Sequence, residues 1–369
     1  MKVGVLGAGQ LGRMLALAGY PLGLEFCFYD RDPKACAGDL GKLVVGEFDD
    51  MEKLKAFAQQ VDLVTVEFEN IPVSALKQVS QFVPVYPNPD AVNVAQDRYS
   101  EKQFFKSLGI PTARFDAIDN VEQLAEILTT RNETLVLKSR RFGYDGKGQL
   151  LLDPSSSAAK AWVSLGRVPL IAEQCMRFNR EVSIIAARNR QGDVRFYPVI
   201  ENLHEKGILK RSRVSLRDNL QSKAEDYAQR VLEELGYIGV VTLEFFDVNG
   251  ELVVNEMAPR VHNTGHWTIE GAATSQFENH LRAILGYPLG DPGARADCLM
   301  FNIIGEKPDI ELLLKIPGLH LHDYGKKPRP GRKLGHVTLL DSTEQNVMAV
   351  QDVIDRRHET NLLDAGGTR

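Results

Sequence analysis

Short apolar runs alternate with helix-period stretches through the first 95 residues of the chain. Lys2 to Leu6 reads as a strand. Gln10 to Gly19 reads as a helix that stops at Gly19-Tyr20-Pro21, and Glu25 to Tyr29 as a second strand. Met51 to Gln60 predicts a helix, Val61 to Phe68 a strand and Val73 to Phe82 another helix. Alternation of this kind predicts a parallel sheet with helices on both faces. Pro84, Pro87 and Pro89 then punctuate the chain, and a first boundary is expected at about residue 96.

The pattern changes beyond that point. A helix from Asp97 to Leu108 precedes a strand-helix-strand unit over Arg114 to Ile118, Val121 to Thr129 and Thr134 to Lys138. A glycine-containing loop, 139–149, leads to a strand at Leu150 to Leu152, a helix at Ser155 to Leu165 and a strand at Leu170 to Gln174. The chain is strand-rich after Arg180, apart from helices over Gln221 to Leu235 and Ser275 to Leu285. Tyr287-Pro288 and Asp291-Pro292-Gly293 mark a second boundary. The fold class is therefore α/β, α+β overall. A Rossmann-like parallel-sheet domain is expected over 1–96, and a central domain over 97–295 with a glycine-loop subdomain at about 112–175. A small β-rich domain is expected over 296–369.

Residues 240–267, VVTLEFFDVNGELVVNEMAPRVHNTGHW, carry the strongest chemical signal. Two β-rich runs flank Asn249-Gly250, and each holds an acid, Glu244 and Glu256. An acid on a core-facing strand is costly unless something pairs with it. Two converging acids suit a hard cation, and Arg260, His262, Asn263 and His266 follow at once. A magnesium nucleotide has both properties. Loop length decides whether the acids meet, because strand side chains alternate faces. A two-residue turn at Asn249-Gly250 would pair Glu244 with Asn255 and send Glu256 to the opposite face. A three-residue loop, Val248 to Gly250, with Gly250 left-handed as a bulge, keeps both acids on one face. The second arrangement is the expectation.

Bulk composition narrows the field. The length of 369 residues calls for two or three domains. The net charge of -5 argues against a general nucleic-acid binder. Cys27, Cys36, Cys175 and Cys298 lack metal-type spacing and read as reduced thiols of a cytoplasmic protein. Gln10 and Arg13 interrupt the apolar start, so no signal peptide is expected, and no run is long enough to span a membrane.

Two glycine motifs remain. Gly7-Ala8-Gly9-Gln10-Leu11-Gly12 lies between strand and helix, with Asp30 ending the second strand. Alone it suggests an NAD-binding oxidoreductase or sensor. Its firmer content is a set of backbone amides at a helix N-terminus, facing an anion such as a sugar phosphate. The second loop, Arg141-Phe142-Gly143-Tyr144-Asp145-Gly146-Lys147-Gly148, follows the strand-end Lys138. Glycines let backbone approach phosphates and lysines neutralise them, yet the GK[ST] of a Walker loop is missing.

The order of these features resembles the ATP-grasp superfamily. Four strings, GAGQLGRM, GYDGKG, NEMAPRVHNTGHW and RPGRKLGH, narrow the resemblance to the N5-carboxyaminoimidazole ribonucleotide synthases of purine biosynthesis. That likeness implies a cytoplasmic homodimer that uses ATP, Mg2+, bicarbonate and aminoimidazole ribonucleotide. By the same likeness, Arg98 and Lys138 contact ATP phosphates, under a lid of Gly143, Tyr144, Asp145, Gly146, Lys147 and Gly148. Glu173, Gln174, Cys175 and Met176 line the adenine, Glu181 holds the ribose and His204 lies near the nucleotide. Glu244 and Glu256 bind magnesium, with Asn255 beside them. Arg260, His262 and Asn263 hold bicarbonate and the transferring phosphoryl group. Gln10, Leu11, Tyr144, Asp145, His266, Arg332 and Lys333 face the ribonucleotide, with His266 also the candidate base. A formate-using transformylase of the same superfamily is the nearest alternative. Ala258, where many members carry Asn, and Phe142, where the loop often carries glycine, depart from the pattern.

Overall fold

Five strands build the N-terminal sheet: β1 (Lys2–Leu6), β2 (Glu25–Asp30), β3 (Lys42–Val45), β4 (Leu63–Val66) and β5 (Val85–Tyr86). They run parallel in the order β3-β2-β1-β4-β5. The helices α1 (Gln10–Gly19), α2 (Met51–Ala58) and α3 (Val73–Val79) connect them. In this computed structural model the described residues are 1–143, 146, 148–214, 216–340 and 342–364, with side chains as far as 355. β3 and β5 are too short to stand out by periodicity.

α4 (Pro89–Ala95) and α5 (Arg98–Ser107) lead out of this sheet. Asp97 caps α5 by accepting the Tyr99 and Ser100 N–H groups at 3.1 and 3.2 Å. The cap fixes Arg98, Glu101 and Lys102 in the first helical turns. A second, antiparallel sheet follows: β6 (Phe115–Ile118), β7 (Leu135–Ser139), β8 (Gln149–Leu152) and β9 (Leu170–Gln174), ordered β6-β9-β7-β8. α6 (Val121–Arg131) and α7 (Ala158–Ser164) bury its apolar face around Leu124, Leu128 and Leu137.

The third sheet is the largest. β10 (Arg180–Arg188), β11 (Val194–Phe196), β12 (Ile200–Glu205), β13 (Ile208–Val214), β14 (Gly239–Val248) and β15 (Glu251–Ala258) are joined by β16 (Cys298–Ile304), β17 (Leu319–Asp323) and β18 (Lys333–Leu340). The order is β15-β14-β10-β12-β13-β16-β18-β17, with β11 paired to β10. The C-terminal strands therefore extend the central sheet through β13 and β16, where Arg211 pairs with Phe301. α8 (Gln221–Glu234), α9 (Thr268–Gly271), α10 (Gln276–Leu285) and α11 (Ile310–Leu314) pack around it. α12 (Glu344–Asp364) closes the chain where no helix was anticipated. Its Val347, Val350 and Ile354 recur at helical spacing and pack on the core around Leu313 and Leu339.

Parallel sheet and large sheet meet through α1 and α10. Leu11 and Leu15 share one core with Phe277 and Leu281. His280 of α10 bolts the two together: its Nε2 lies 2.8 Å from Thr65 Oγ1 on β4, and its Nδ1 lies 3.1 Å from Val240 N on β14.

Candidate active site

Glu244 and Glu256 lie directly opposite each other on β14 and β15. The route to that arrangement differs from the expected three-residue loop. Val248 pairs with Glu251, so the turn is two residues, with Asn249 at φ 54 and Gly250 at φ 88. Both left-handed residues suit the tight hairpin turn whose twist matches the strands. The register that follows would send Glu256 to the far face. A bulge corrects it: Phe245 pairs with Val254, and Glu244 pairs with Glu256, leaving Asn255 as the extra residue. The Asn255 Oδ1 is buried without a hydrogen-bond partner.

The two acids differ electrostatically. Burial, with Glu256 opposite, pushes the Glu244 carboxyl up to about 7. Desolvation also works against Glu256, but Arg98 outweighs it, and that carboxyl falls to about 2. Arg98 Nη1 donates to Glu256 Oε2 at 2.6 Å, while its Nη2 reaches the Gly143 carbonyl at 3.3 Å. Two facing carboxylates with a single arginine against them make an oxygen donor pair that fits a hard divalent cation.

Lys138 is the next-to-last residue of β7, and its Nζ donates to Glu173 Oε2 at 3.1 Å. Lys102, 1% exposed, approaches the same carboxylate at 3.7 Å and donates to the Val254 carbonyl at 3.1 Å. Burial opposes the charge on Glu173, yet the two lysines hold its carboxyl below the usual range. The Glu173 side chain thus pairs with both lysines through one oxygen, and its Oε1 is buried without a hydrogen-bond partner. Gln174, Cys175 and Met176 continue toward β10 at the junction of the two sheets, where Cys175 N donates to Thr134 O at 3.1 Å. Glu181 on β10 and His204 on β12 are paired side chain to side chain on the same side of the sheet as Glu244. The loop between β7 and β8 is anchored at its base, where Arg140 and Arg141 pair with Asp97 at 3.0 and 3.3 Å. Gly146 and Gly148 are left-handed, at φ 74 and 72, and a Cβ on Gly146 would stand 2.8 Å from the Lys206 carbonyl. The loop therefore leans on the turn between β12 and β13. Phe142 stands at φ 63, which explains why glycine suits that position. Tyr144, Asp145 and Lys147 lie outside the described residues.

The segment after β15 is held from several sides. Arg260 Nε donates to Glu69 Oε2 at 2.5 Å. His262 Nε2 lies 3.3 Å from Glu244 Oε1, and its Nδ1 lies 3.0 Å from Thr264 Oγ1. Its backbone N–H and carbonyl are both bonded by the Gln276 carboxamide, at 2.9 and 2.6 Å. Asn263 exchanges two side-chain hydrogen bonds with Asn302, at 2.9 and 2.8 Å. Burial, with Arg260 and Lys333 adding to it, pushes the His262 imidazole well below its usual range. His266 is 1% exposed, its ring 4.7 Å from that of His336, and burial and Lys333 push it down likewise. A base so weakened accepts a proton poorly.

The first glycine motif is filled from within. Ala8 N donates to Asp30 Oδ2 at 2.8 Å, Gly9 N to Glu67 Oε2, and Leu11 N to Glu67 Oε1 at 3.3 Å. A carboxylate of this chain occupies the helix N-terminus where a ligand's phosphate was expected. That occupation also removes the seat an NAD pyrophosphate would use. Leu11 is buried in the core, whereas Gln10 reaches Lys326 of the C-terminal basic turn. The fingerprint and the basic turn, at opposite ends of the chain, are therefore neighbours. Arg332 is half-buried and donates to the Lys327 carbonyl at 3.3 Å, while Lys333 opens β18 close enough to bias both His262 and His266.

Family profiles cover most of the chain: a ribonucleotide synthetase preATP-grasp domain at 1–96, an ATP-grasp domain at 103–277, and a phosphoribosylaminoimidazole carboxylase C-terminal domain at 298–349. The N5-carboxyaminoimidazole ribonucleotide synthase of Pseudomonas aeruginosa is 50% identical over 339 residues, covering 92% of this chain and 94% of that one. The chain belongs to the N5-carboxyaminoimidazole ribonucleotide synthase family. The crystal structure of the Thermus thermophilus synthetase of this family superposes with a TM-score of 0.91 at 51% identity, over 95% of this chain and 98% of that one. The Aspergillus clavatus synthase, solved with ADP and 5-aminoimidazole ribonucleotide, gives 0.89 at 32% identity, over 96% and 98%.

Within this member of the synthase family, sequence reasoning missed Glu67, Glu69, Glu101, Lys102, Gln276 and Asn302. Glu67 and Glu69 had a signal. They follow at alternate positions off the C-terminal end of a parallel strand, where α/β sheets bind ligands. Glu101 and Lys102 looked like the polar face of an ordinary helix, yet they are 2% and 1% exposed.

Proposed function

We propose that this chain carboxylates the exocyclic amine of 5-aminoimidazole ribonucleotide, consuming ATP and bicarbonate and giving N5-carboxyaminoimidazole ribonucleotide, ADP and phosphate. The observation that carries the reading is the convergence of the Glu244–Glu256 pair with the Arg260–His262–Asn263 turn, where His262 Nε2 lies 3.3 Å from Glu244 Oε1. Family membership and the ATP-grasp match support ATP as the energy source.

Bicarbonate is a poor electrophile, so an oxygen of it first takes the γ-phosphoryl group and ADP departs. The amine nitrogen then attacks the carboxyl carbon of carboxyphosphate, the C–O bond to phosphate breaks, and the released phosphate can take the amine proton. Magnesium held by Glu244 and Glu256, with the Asn255 oxygen within the same bulge, would supply positive charge to the phosphate oxygens. Lys138 and Arg98 hold phosphates by fixed charge. Arg260, kept cationic and oriented by Glu69, and neutral His262 and Asn263 suit the small anion. The glycine loop, leaning toward Lys206, excludes water from a hydrolysable intermediate. Lys326, Arg332 and Lys333 suit the ribonucleotide's phosphate, with Gln10 beside them.

The same reading has the chain work as a cytoplasmic homodimer of three domains, 1–96, 97–295 and 296–369. Among the described residues no helix is long and apolar enough to cross a membrane. Light scattering tests the dimer. The decisive assay for activity is ADP release from magnesium ATP, with and without bicarbonate, offering aminoimidazole or glycinamide ribonucleotide as acceptor. Release that requires formate and glycinamide ribonucleotide would overturn the proposal in favour of the transformylase.

A further inference from the structure

We infer that Asn302, on β16 of the C-terminal segment, is a positioning residue that sets which edge of the Asn263 carboxamide faces the reacting anion. The inference rests on the reading of the 260–263 turn as the bicarbonate site.

A carboxamide carries two N–H donors and two oxygen lone pairs, and its two orientations have nearly the same shape. Something outside the group must decide between them. Asn302 is 2% exposed, and its Nδ2 donates to the Leu209 carbonyl of β13 at 2.9 Å. A backbone carbonyl only accepts, so the nitrogen of Asn302 has to be the atom turned toward it. That choice leaves one N–H and the oxygen of Asn302 for Asn263. The pair is met in complement: Asn302 Nδ2 donates to Asn263 Oδ1 at 2.8 Å, and Asn263 Nδ2 donates to Asn302 Oδ1 at 2.9 Å. In the opposite orientation Asn263 would set N–H against N–H and oxygen against oxygen. The orientation is therefore relayed from a main-chain carbonyl of the central sheet, through Asn302, to the catalytic turn.

The consequence is chemical. With one N–H and one lone pair committed to Asn302, Asn263 retains a single N–H donor and a single lone pair for anything in the cleft. A fixed donor suits bicarbonate or a phosphoryl oxygen. Left free, the amide can turn its oxygen toward the anion, and turning it back draws on the anion's own binding energy. The neighbouring residues of the turn are oriented by other elements, Arg260 by Glu69 and His262 by Gln276. Asn302 is the contribution of the C-terminal segment to the same turn.

The test is a double-mutant cycle in the full-length enzyme, with Asn302→Asp, Asn263→Ala and both together. Asn302→Asp keeps the shape and replaces both donors with an acceptor. Bicarbonate-dependent ADP formation with aminoimidazole ribonucleotide should lose roughly tenfold or more in kcat/KM for bicarbonate, the scale of one misdirected hydrogen bond. ADP affinity should stay within about twofold, because no nucleotide contact changes. In the Asn263→Ala background the Asn302 change should add less than about a further twofold, since its effect runs through the missing amide. Multiplicative losses in the double variant, or an unaltered kcat/KM in a folded Asn302→Asp protein, would overturn the inference. If Asn302→Asp does not fold, Asn302→Ser carries the same readings. Failure of the wild type to show bicarbonate-stimulated ADP release is a separate outcome and sinks the bicarbonate reading itself.

Discussion

His280 should make folding stability acid-sensitive in a way that one substitution removes. Its Nδ1 accepts the Val240 N–H at 3.1 Å, which leaves Nε2 to carry the ring proton toward Thr65 Oγ1 at 2.8 Å. A second proton on the ring would set an N–H against the Val240 N–H, inside a core that excludes water. Burial alone pushes the imidazole from 6.5 down to about 4. The unfolded ring titrates near 6.5, so between those values the unfolded chain binds a proton that the folded chain refuses. The stability it contributes is whole above the unfolded pKa and drains away as pH falls toward the folded one. The fall from 6.5 to about 4 corresponds to about 3 kcal/mol in total, lost at about 1.4 kcal/mol per pH unit. His262, His266 and His336 are pushed the same way, so the wild-type slope is the sum of several residues. His280→Gln isolates one: it keeps a donor for Thr65 and cannot be protonated. Urea unfolding followed by circular dichroism, at several pH values between about 4.5 and 6.5, gives the two slopes. The variant should be less stable at neutral pH by about 1–3 kcal/mol, for the weakened Val240 bond. Its slope should be shallower by about 1.4 kcal/mol per pH unit. Parallel slopes would refute the reasoning, whatever the offset between them.

Other substitutions report on other parts of the molecule. Glu256→Gln removes both the partner of Arg98 and an acid facing the cation site, and should lower bicarbonate-dependent ADP formation by roughly a hundredfold or more; retained activity in a steady-state assay would count against the metal reading. Lys102→Met breaks a fully buried contact with Glu173 and should cost about 3–5 kcal/mol in denaturant unfolding, and raise the KM for ATP through Lys138. Unchanged stability there would mean that Glu173 needs only one lysine. Asn249→Ala forces a left-handed alanine into the hairpin turn, and should cost about 1 kcal/mol in thermal unfolding without altering kcat.

Much of the fold was legible because its signals are local. The alternation of strands and helices over the first 95 residues specifies a parallel sheet, and helix caps such as Asp97 and Ser275 stand where the polar-to-apolar pattern turns. What escaped depends on partners distant in sequence. β5 is two residues long and exists because β4 lies beside it. The C-terminal strands look self-contained in sequence, and only the pairing of β13 with β16 makes them part of the central sheet. Glu67 is the clearest case. Nothing near it in sequence says that it will cap a helix 56 residues earlier. The glycine motif therefore invited a ligand into a place the chain fills itself.

The acid pair shows how a right outcome can rest on a wrong count. Sequence periodicity demanded that the loop contain an odd extra residue somewhere between Glu244 and Glu256, or the two carboxylates would part. An Asn-Gly step with two left-handed residues is the tighter and better-twisted turn, so the hairpin keeps it. The extra residue is moved up the strand to Asn255, next to the acid whose face it corrects. A bulge there does two things that a longer loop could not. It puts the local kink that bulges impose next to Glu256, and it releases Asn255 from the ladder, with its amide oxygen buried and unpaired. Placing the irregularity next to Glu256 rather than in the loop keeps the tight turn and still sets the two carboxylates opposite each other.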